Sequence, residues 1–325
     1  MNSLKLLAAT LALAASACAN GQQPSSFVES SVRPDYVTTT FTYASRSGQE
    51  LKLDRVVDRS VKVKGKRPVI IFMYGGGWES GSRTDAGIVS GYKYFASLGY
   101  TILAIDYRLG VKIAKDRKEV TSANWPDVLL RSIEWSVEDL FDATAFALKH
   151  AAEWDIDPAQ IVLLGGSAGA TNSLVAEYNV ANETRLAQSR LPANFRYAGV
   201  ISMAGAFWLK PGTPLTFKNK PAPIMFFHGS KDQLVTYDEV QAPFAGYGPV
   251  AYFKKFPDAE HSKWFVDYPE GDHVIAGTPL LDQKLEMQSF LQKLVRERQE
   301  LSIHTVERSK TPKNIESFFK ALKGG

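Results

Sequence analysis

The chain has 325 residues, of which 45% are hydrophobic and 22% are charged, and its formal net charge is +4. This composition is typical of a globular protein, and the length is compatible with a single large α/β domain. The charge is small and scattered along the chain, so we expect no nucleic-acid partner.

The N-terminal segment has the pattern of a secretory signal peptide, which predicts residues 1–19 as a leader and 20–36 as a tether. The apolar stretch Leu6–Ala15 is too short to span a bilayer. Cys18, the only cysteine, follows this stretch and resembles the modified cysteine of bacterial lipoproteins. We therefore predict an exported protein, and both a lipid anchor at Cys18 and free secretion to the periplasm or beyond remain open.

Strand-like and helix-like segments then alternate, which predicts an α/β fold with a mostly parallel central sheet and helices on both faces. Val37–Ser45 and Leu51–Val57 alternate in side-chain type and predict an antiparallel hairpin at the sheet edge. Later apolar runs are typical of buried strands. These predicted strands are Pro68–Tyr74, Tyr100–Tyr107, Gln160–Leu164, Tyr197–Met203, Ala222–Phe227 and Trp264–Tyr268.

Helical spacing separates these strands, and no insertion is long enough for a large lid domain. The predicted helices are Ala86–Leu98, Trp135–Trp154, a segment that follows Gly169 and extends to about Val180, Pro279–Val295 and Thr311–Leu322. Two irregular stretches, Arg108–Asp127 and Gly205–Lys220, are expected to wall a substrate pocket. We predict one domain over residues 37–298 and a basic tail with a short helix over 299–325.

A G-x-S-x-G motif, Gly165–Gly169, stands between a predicted strand and a predicted helix. Small neighbours allow Ser167 to occupy a tight strand-to-helix turn that lifts its hydroxyl to the sheet edge. The helix that follows directs its first N–H groups at any anion formed there. The motif predicts a nucleophilic Ser167, and the alternative is a glycine-rich turn with a capping serine.

A second glycine run, Gly75-Gly76-Gly77-Trp78, directly follows the strand predicted at Pro68–Tyr74. Consecutive glycines allow backbone N–H groups to approach a ligand closely, as acyl transfer requires for its developing oxyanion. We predict an oxyanion hole made by the N–H groups of Gly76, Gly77 and Ala168. The alternative is a loose surface turn.

Over Phe41–Val295 the chain resembles the hormone-sensitive-lipase-like and the feruloyl or acetyl esterase-like branches of the α/β-hydrolase superfamily. The resemblance implies the α/β-hydrolase fold and a serine carboxylesterase. One departure is Tyr74, where the family usually has a histidine, and we expect the pocket near the glycines to differ in shape from that of the family. The carrying motifs are Gly75–Trp78, Asp106–Leu109, Ile156–Pro158, Gly165–Gly169, His228–Asp232 and Gly271–His273.

The resemblance also implies that the acid and then the base follow the serine along the chain. Asp232 comes just after the strand predicted to end at Phe227, and Asp238 and Glu239 are nearby competitors. His273 follows the last predicted strand, where the family histidine lies, whereas His261 precedes that strand. We therefore predict Asp232 as the acid and His273 as the base, with His261 as the second choice.

Small esters, among them acetyl or feruloyl esters of polysaccharides, are the expected substrates. Trp78, Trp125, Phe207 and Trp208 are predicted to line the pocket, although plain core positions are an equal alternative for each. We expect no cofactor and no metal, because the chain has no dinucleotide or Walker motif and no close His/Cys spacing. Two other functions stay open, an exported serine peptidase of the same fold and a catalytically inactive surface binding protein.

Overall fold

This computed structural model describes residues 33–46, 48–308 and 313, and a nine-stranded sheet runs through this part of the chain. A second, three-stranded sheet lies beside it. The strands are β1 (Tyr36–Arg46), β2 (Gln49–Asp58), β3 (Arg67–Met73), β4 (Thr101–Ile105), β5 (Ile156–Gly166), β6 (Gly199–Met203), β7 (Phe207–Leu209), β8 (Ile224–Gly229), β9 (Glu239–Val240), β10 (Ala245–Tyr247), β11 (Lys263–Tyr268) and β12 (Ser302–Val306).

The main sheet has the order β1-β2-β4-β3-β5-β6-β8-β11-β12, and β7-β10-β9 form the small sheet. β1 and β2 form an antiparallel hairpin, β2 pairs antiparallel with β4, and every later pair in the main sheet is parallel. The central strands β3, β4 and β6 are almost wholly buried, because helices cover both faces. The predicted fold class is therefore confirmed.

The helices differ more than the strands from the sequence-based prediction. They are α1 (Ala86–Ser97), α2 (Gly110–Asp116), α3 (Trp125–Lys149), α4 (Ala168–Ala181), α5 (Arg185–Gln188), α6 (Pro249–Lys255), α7 (Pro279–Asp282) and α8 (Lys284–Phe290). None of the described helices is long and apolar enough to cross a membrane.

The stretch Arg108–Asp127 was expected to be irregular, and this expectation was wrong. It contains α2 and the first turn of α3, which begins ten residues before the predicted start at Trp135. Pro126 lies in the first helical turn, where its fixed φ and missing N–H are favourable. A proline there begins the helix rather than interrupting it.

The expected irregular segment Gly205–Lys220 contains β7, a strand too short to give a recognisable alternation. The single closing helix predicted at Pro279–Val295 is instead α7, α8 and a π-helical turn over Leu291–Arg296. The boundary at residue 298 was also placed too early, because β12 pairs with β11 in the main sheet. The leader, Cys18 and nearly all of the helix predicted at Thr311–Leu322 lie outside the described residues.

The register of the parallel strands brings several loops to one edge of the main sheet. Met73 pairs with Gly165, Gly166 pairs with Met203, and Tyr268 pairs with Gly229. The ends of β3, β5, β6, β8 and β11 are therefore level, and the segments after them meet at the carboxyl edge. Open α/β sheets bind their ligands at this edge.

Candidate active site

Ser167 occupies the sharp turn between β5 and α4, with φ 51° and ψ −119°. This left-handed backbone is unfavourable for any residue except glycine, by about 1–3 kcal/mol. A Cβ on Gly166 would stand 2.1 Å from the Ala276 carbonyl oxygen, and one on Gly169 would stand 2.1 Å from the Met73 oxygen. The small residues of the motif are therefore required by close backbone approaches on both sides of the serine.

Ser167, His273 and Asp232 form a continuous hydrogen-bonded chain. The Ser167 Oγ lies 2.8 Å from His273 Nε2, and His273 Nδ1 lies 2.8 Å from Asp232 Oδ2. An ionised carboxylate can only accept, so Nδ1 carries the proton and Nε2 accepts from the serine hydroxyl. The structure thus brings together the three side chains predicted as nucleophile, base and acid.

The Asp232 side chain is completely enclosed. Its Oδ1 accepts the N–H groups of Leu234 and Val235 at 2.9 and 3.0 Å, and His228 Nε2 lies 3.3 Å from Oδ2. Burial by itself raises the pKa of Asp232, but the hydrogen bonds from His228, His273 and Val235 outweigh it and hold the pKa well below its usual range. The carboxylate therefore stays ionised beside the imidazole.

The competing candidates from the sequence lie apart from this chain. The His261 ring stacks on Phe256 with centroids 4.4 Å apart. The Asp238 carboxylate bonds the Lys254 ammonium at 2.6 Å. Both residues are explained by contacts away from the serine.

The glycine loop after β3 packs against the serine turn. A Cβ on Gly75 would lie 3.2 Å from the Ser167 Cβ. The loop is a tight turn, because the Gly76 oxygen accepts from two later N–H groups at 3.0 Å each, and Gly76 and Gly77 have φ of 118° and 62°. Within the described residues the N–H groups of Gly76, Gly77 and Ala168 make no hydrogen bond.

Tyr74, which stands where the resemblance implies a histidine, supports this loop from behind. Its ring stacks on the Tyr107 ring with centroids 4.6 Å apart, and the Tyr107 hydroxyl donates to the Tyr74 carbonyl at 2.8 Å. Both residues are buried. A stacked aromatic pair therefore supports the loop in this chain.

A cavity of about 890 Å³ opens beside Ser167 and His273. Of the four aromatic residues predicted to line it, Trp78, Trp125 and Trp208 do so. Phe207 does not, since it is buried against Tyr252 with ring centroids 5.8 Å apart. Neighbouring residues of a strand point to opposite sides, so β7 presents Trp208 to the cavity and Phe207 to the core.

The prediction missed much of the cavity wall, which comes from segments far apart in the chain. Among the described residues that line the cavity, Asp85 and His273 are the only ionisable side chains. The Asp85 carboxylate accepts two N–H groups of α1. The missed wall residues include Ile88, Leu129, Leu234, Phe244, Leu280 and Leu281.

No signal in the sequence marks these wall residues, because they are ordinary apolar residues without a motif. The described residues also contain no group of three or more His, Cys, Asp or Glu side chains that could hold a metal ion.

Two sequence comparisons find similarity to esterases. The BD-FAE family model, which describes an α/β-hydrolase esterase family, matches residues 57–211. The chain is 27% identical to Gut esterase 1 of Caenorhabditis elegans over 150 residues, which is 46% of this chain but only 24% of that protein.

Two solved structures of Thermogutta terrifontis esterase 2 share the fold. The apo form has a TM-score of 0.56 and 21% identity and covers 82% of this chain and 96% of its own. The propionate-bound form has a TM-score of 0.55 and 20% identity and covers 80% of this chain and 94% of its own. The fold is that of an α/β-hydrolase, and residues 57–211, just under half of the chain, are similar to an esterase family.

Proposed function

We propose that this chain hydrolyses carboxylic esters, with Ser167 as nucleophile, His273 as base and Asp232 as the acid. The observation that carries the proposal is the hydrogen-bonded chain Ser167–His273–Asp232, which opens on an apolar cavity. Three backbone N–H groups beside it have no hydrogen-bond partner in the part of the chain that the structure describes. This combination is what acyl transfer to water requires.

In the proposed reaction, His273 Nε2 takes the hydroxyl proton as Ser167 Oγ attacks the ester carbonyl carbon. The oxyanion accepts from the N–H groups of Gly76, Gly77 and Ala168. Asp232 stabilises the imidazolium, which then gives its proton to the departing alcohol. Water attacks the acyl-enzyme by the same steps in reverse and releases the acid and Ser167.

The cavity wall favours an uncharged substrate with apolar groups near the carbonyl. Trp78 and Trp208 offer aromatic surface, and their ring centroids lie 5.9 Å apart. Propionate and butyrate were bound in structures of the Thermogutta esterase. We propose short acyl and aryl esters as substrates. Esters on polysaccharides remain within this proposal because Trp125 and Leu281, which line the cavity, are exposed at the surface.

Export is part of the same proposal and rests on the leader-like sequence alone. An exported esterase would meet its esters outside the cytoplasm, either anchored through Cys18 or free. Fractionation of cells that express the full chain and a Cys18→Ser variant separates these two cases. Membrane association lost only in the variant supports the anchor.

The test is labelling with a fluorophosphonate, which reacts with an activated serine, followed by turnover of p-nitrophenyl esters. We expect the wild type to be labelled and to turn over the butyrate ester. Ser167→Ala and His273→Ala should each lower kcat by about 10⁵-fold or more. His261→Ala is the matched control and should retain both labelling and turnover.

Absence of labelling in a well-folded wild type would overturn the proposal and favour a binding protein that keeps the fold. Faster turnover of peptide anilides than of esters would favour the peptidase alternative.

A further inference from the structure

Trp78, the residue after the glycine loop, is held at both its backbone and its side chain. Its backbone is left-handed, with φ 58°, a conformation that bulky residues rarely adopt. Its carbonyl accepts the N–H groups of Val111 and Lys112 from the first turn of α2, at 3.1 and 3.2 Å. Its indole N–H donates to Asn172 Oδ1 at 2.9 Å in the buried interior.

Asn172 lies on α4, five residues after Ser167, and is fully buried. The indole N–H can only donate, so the oxygen of the Asn172 amide must face it. The NH₂ group of the same amide then has no hydrogen-bond partner among the described residues. A buried amide whose oxygen is hydrogen-bonded but whose NH₂ group is not lowers the stability of the fold. Stability alone therefore does not account for asparagine at this position.

The hydrogen bond between Trp78 and Asn172 joins the glycine loop to the helix that begins at the serine turn, and these two parts of the site must keep a fixed separation. Asn172 belongs to the helix that begins at the serine turn, and Trp78 directly follows Gly77. A shift of the indole would be passed through the Trp78 backbone to the N–H groups that face the oxyanion.

We propose that Asn172 is a positioning residue that acts through Trp78, fixing the glycine loop relative to Ser167 so that the oxyanion is bound correctly. The inference rests on the proposed ester hydrolysis. Asn172 does not touch the substrate, so its removal should weaken binding of the transition state and leave binding of the ground state nearly unchanged.

Three variants separate the acceptor atom from the rest of the side chain. Asn172→Leu removes the acceptor but keeps a side chain of similar size. Asn172→Asp keeps an acceptor oxygen and puts a second carboxyl oxygen in place of the NH₂ group, which has no hydrogen-bond partner among the described residues. Trp78→Phe keeps an aromatic ring and removes the donor.

The matched control is Asn179→Leu, the same change two turns further along α4. The Asn179 side chain bonds the Val175 carbonyl and the Thr184 hydroxyl, so its loss reports general destabilisation of the helix.

With p-nitrophenyl butyrate, Asn172→Leu should lower kcat about 10- to 100-fold with KM within about twofold of the wild type. A trifluoromethyl ketone, which adds Ser167 Oγ to its carbonyl and places an oxyanion at the same N–H groups, should bind more weakly by the factor lost in kcat/KM. Asn172→Asp should recover most of kcat. The double variant Trp78→Phe/Asn172→Leu should lose no more kcat than the worse single variant, because the two substitutions remove the same hydrogen bond.

A kcat within twofold of the wild type for Asn172→Leu would overturn the inference. An equal loss of kcat in Asn179→Leu at equal loss of thermal stability would also overturn it.

A measurement without turnover separates this inference from the proposed function. The Trp78 indole N–H resonance, assigned by its absence in Trp78→Phe, should exchange slowly with solvent in the wild type and in Asn172→Asp and faster in Asn172→Leu. An unprotected indole in an active wild type overturns the inference alone. A protected indole in a wild type without esterase activity overturns the proposed function, and the catalytic part of the inference with it.

Discussion

Two regions of this molecule each bury one carboxyl group, which is ionised in the first region and neutral in the second. In the acid loop, Gly229–Val235, the Asp232 carboxylate accepts hydrogen bonds from the backbone N–H groups of Leu234 and Val235 and from the His273 ring. On the buried side of α4, Glu177 is fully buried and accepts a hydrogen bond from the Ala222 N–H at 2.8 Å. Its other oxygen has no hydrogen-bond partner among the described residues.

The number of donors decides the charge. Burial raises the pKa of Glu177 from 4.5 to about 8, and the single donor and the nearby Arg196 lower it only in part. Burial also acts on Asp232, but several donors hold the pKa of that group well below its usual range. The acid loop thus keeps a charge for the proposed chemistry, and the interior of the fold keeps a neutral acid.

The most severe test of this comparison removes the charge at the acid loop. Asp232→Asn places an amide beside His273 Nδ1, so the imidazole loses the partner that fixes its tautomer. We expect kcat for p-nitrophenyl butyrate to fall about 10³- to 10⁴-fold with little change in KM. Steady-state kinetics at pH 7 to 8 measures both values.

Asp238→Asn is the control for this variant, since Asp238 is nearby in the chain but pairs with Lys254 at the surface. It should keep kcat within about twofold. A kcat loss under tenfold in Asp232→Asn would contradict the role given to this charge.

The pKa of Asp232 is lowered in the folded state. The contribution of its ionisation to the stability of the fold is therefore present above its ordinary pKa and is lost as the pH falls below about 4.

A second test alters backbone geometry at the same edge and leaves the charge in place. A Cβ on Gly76, whose φ is 118°, would stand 2.3 Å from the Ser80 oxygen, whereas nothing lies within 4 Å of one on Gly77 at φ 62°. Gly76→Ala should therefore displace the loop and lower kcat about 100-fold. Gly77→Ala should lower it less than tenfold, because alanine tolerates that φ at modest cost.

Kinetics of the two alanine variants on one ester, with thermal unfolding of each, measures this difference. Equal losses in kcat would show that the loop does not depend on the strained position of Gly76.

The parts of the site that were predicted from sequence are those where chemistry or backbone geometry restricts the residue type. Ser167 had to lie among small residues, and the resemblance placed Asp232 and His273 after it in a fixed order. Phe207 was assigned to the pocket wrongly, because a strand of three residues gives no pattern that tells its two faces apart. The α3 start was missed because Pro126 favours both a break and a first helical turn.

The cavity wall could not be predicted, since Ile88, Phe244 and Leu281 meet only through the tertiary fold. Strand β12 was missed for a related reason. It alternates exposed and half-buried residues at the sheet edge and has no apolar run. Edge strands and pocket walls are specified by their neighbours in space, so a local pattern shows them poorly.

The apolar residues of the cavity wall contribute neither charge nor strain, so a third test should give a smaller effect. Leu281 lines the cavity and is 55% exposed, whereas Leu285 is 69% exposed and lies outside it. Leu281→Gln should raise KM for p-nitrophenyl hexanoate about 3- to 10-fold and leave the acetate ester nearly unchanged, because only the longer chain reaches the wall. Leu285→Gln is the matched control, and an equal rise there would contradict the assignment of the wall.

The smallest effect on activity is expected from the interior carboxyl. Between about pH 4.5 and pH 8 the unfolded chain has an ionised Glu177 while the folded protein keeps it protonated, so the folded state binds more protons. Stability therefore falls as pH rises through this window, by up to about 1.4 kcal/mol per pH unit. Glu177→Gln should leave kcat within about twofold and become progressively more stable than the wild type from pH 5 to pH 8.

Urea unfolding at pH 5, 6.5 and 8 measures this trend. Glu183→Gln is the control. Hydrogen bonds from Lys218 and Arg196 lower the pKa of Glu183, so the stability difference between this variant and the wild type should not change across this window. A stability difference for Glu177→Gln that is independent of pH would mean that Glu177 is ionised in the folded protein. The two buried carboxyls would then be alike in charge, and donor number would not be what distinguishes the acid loop from the interior.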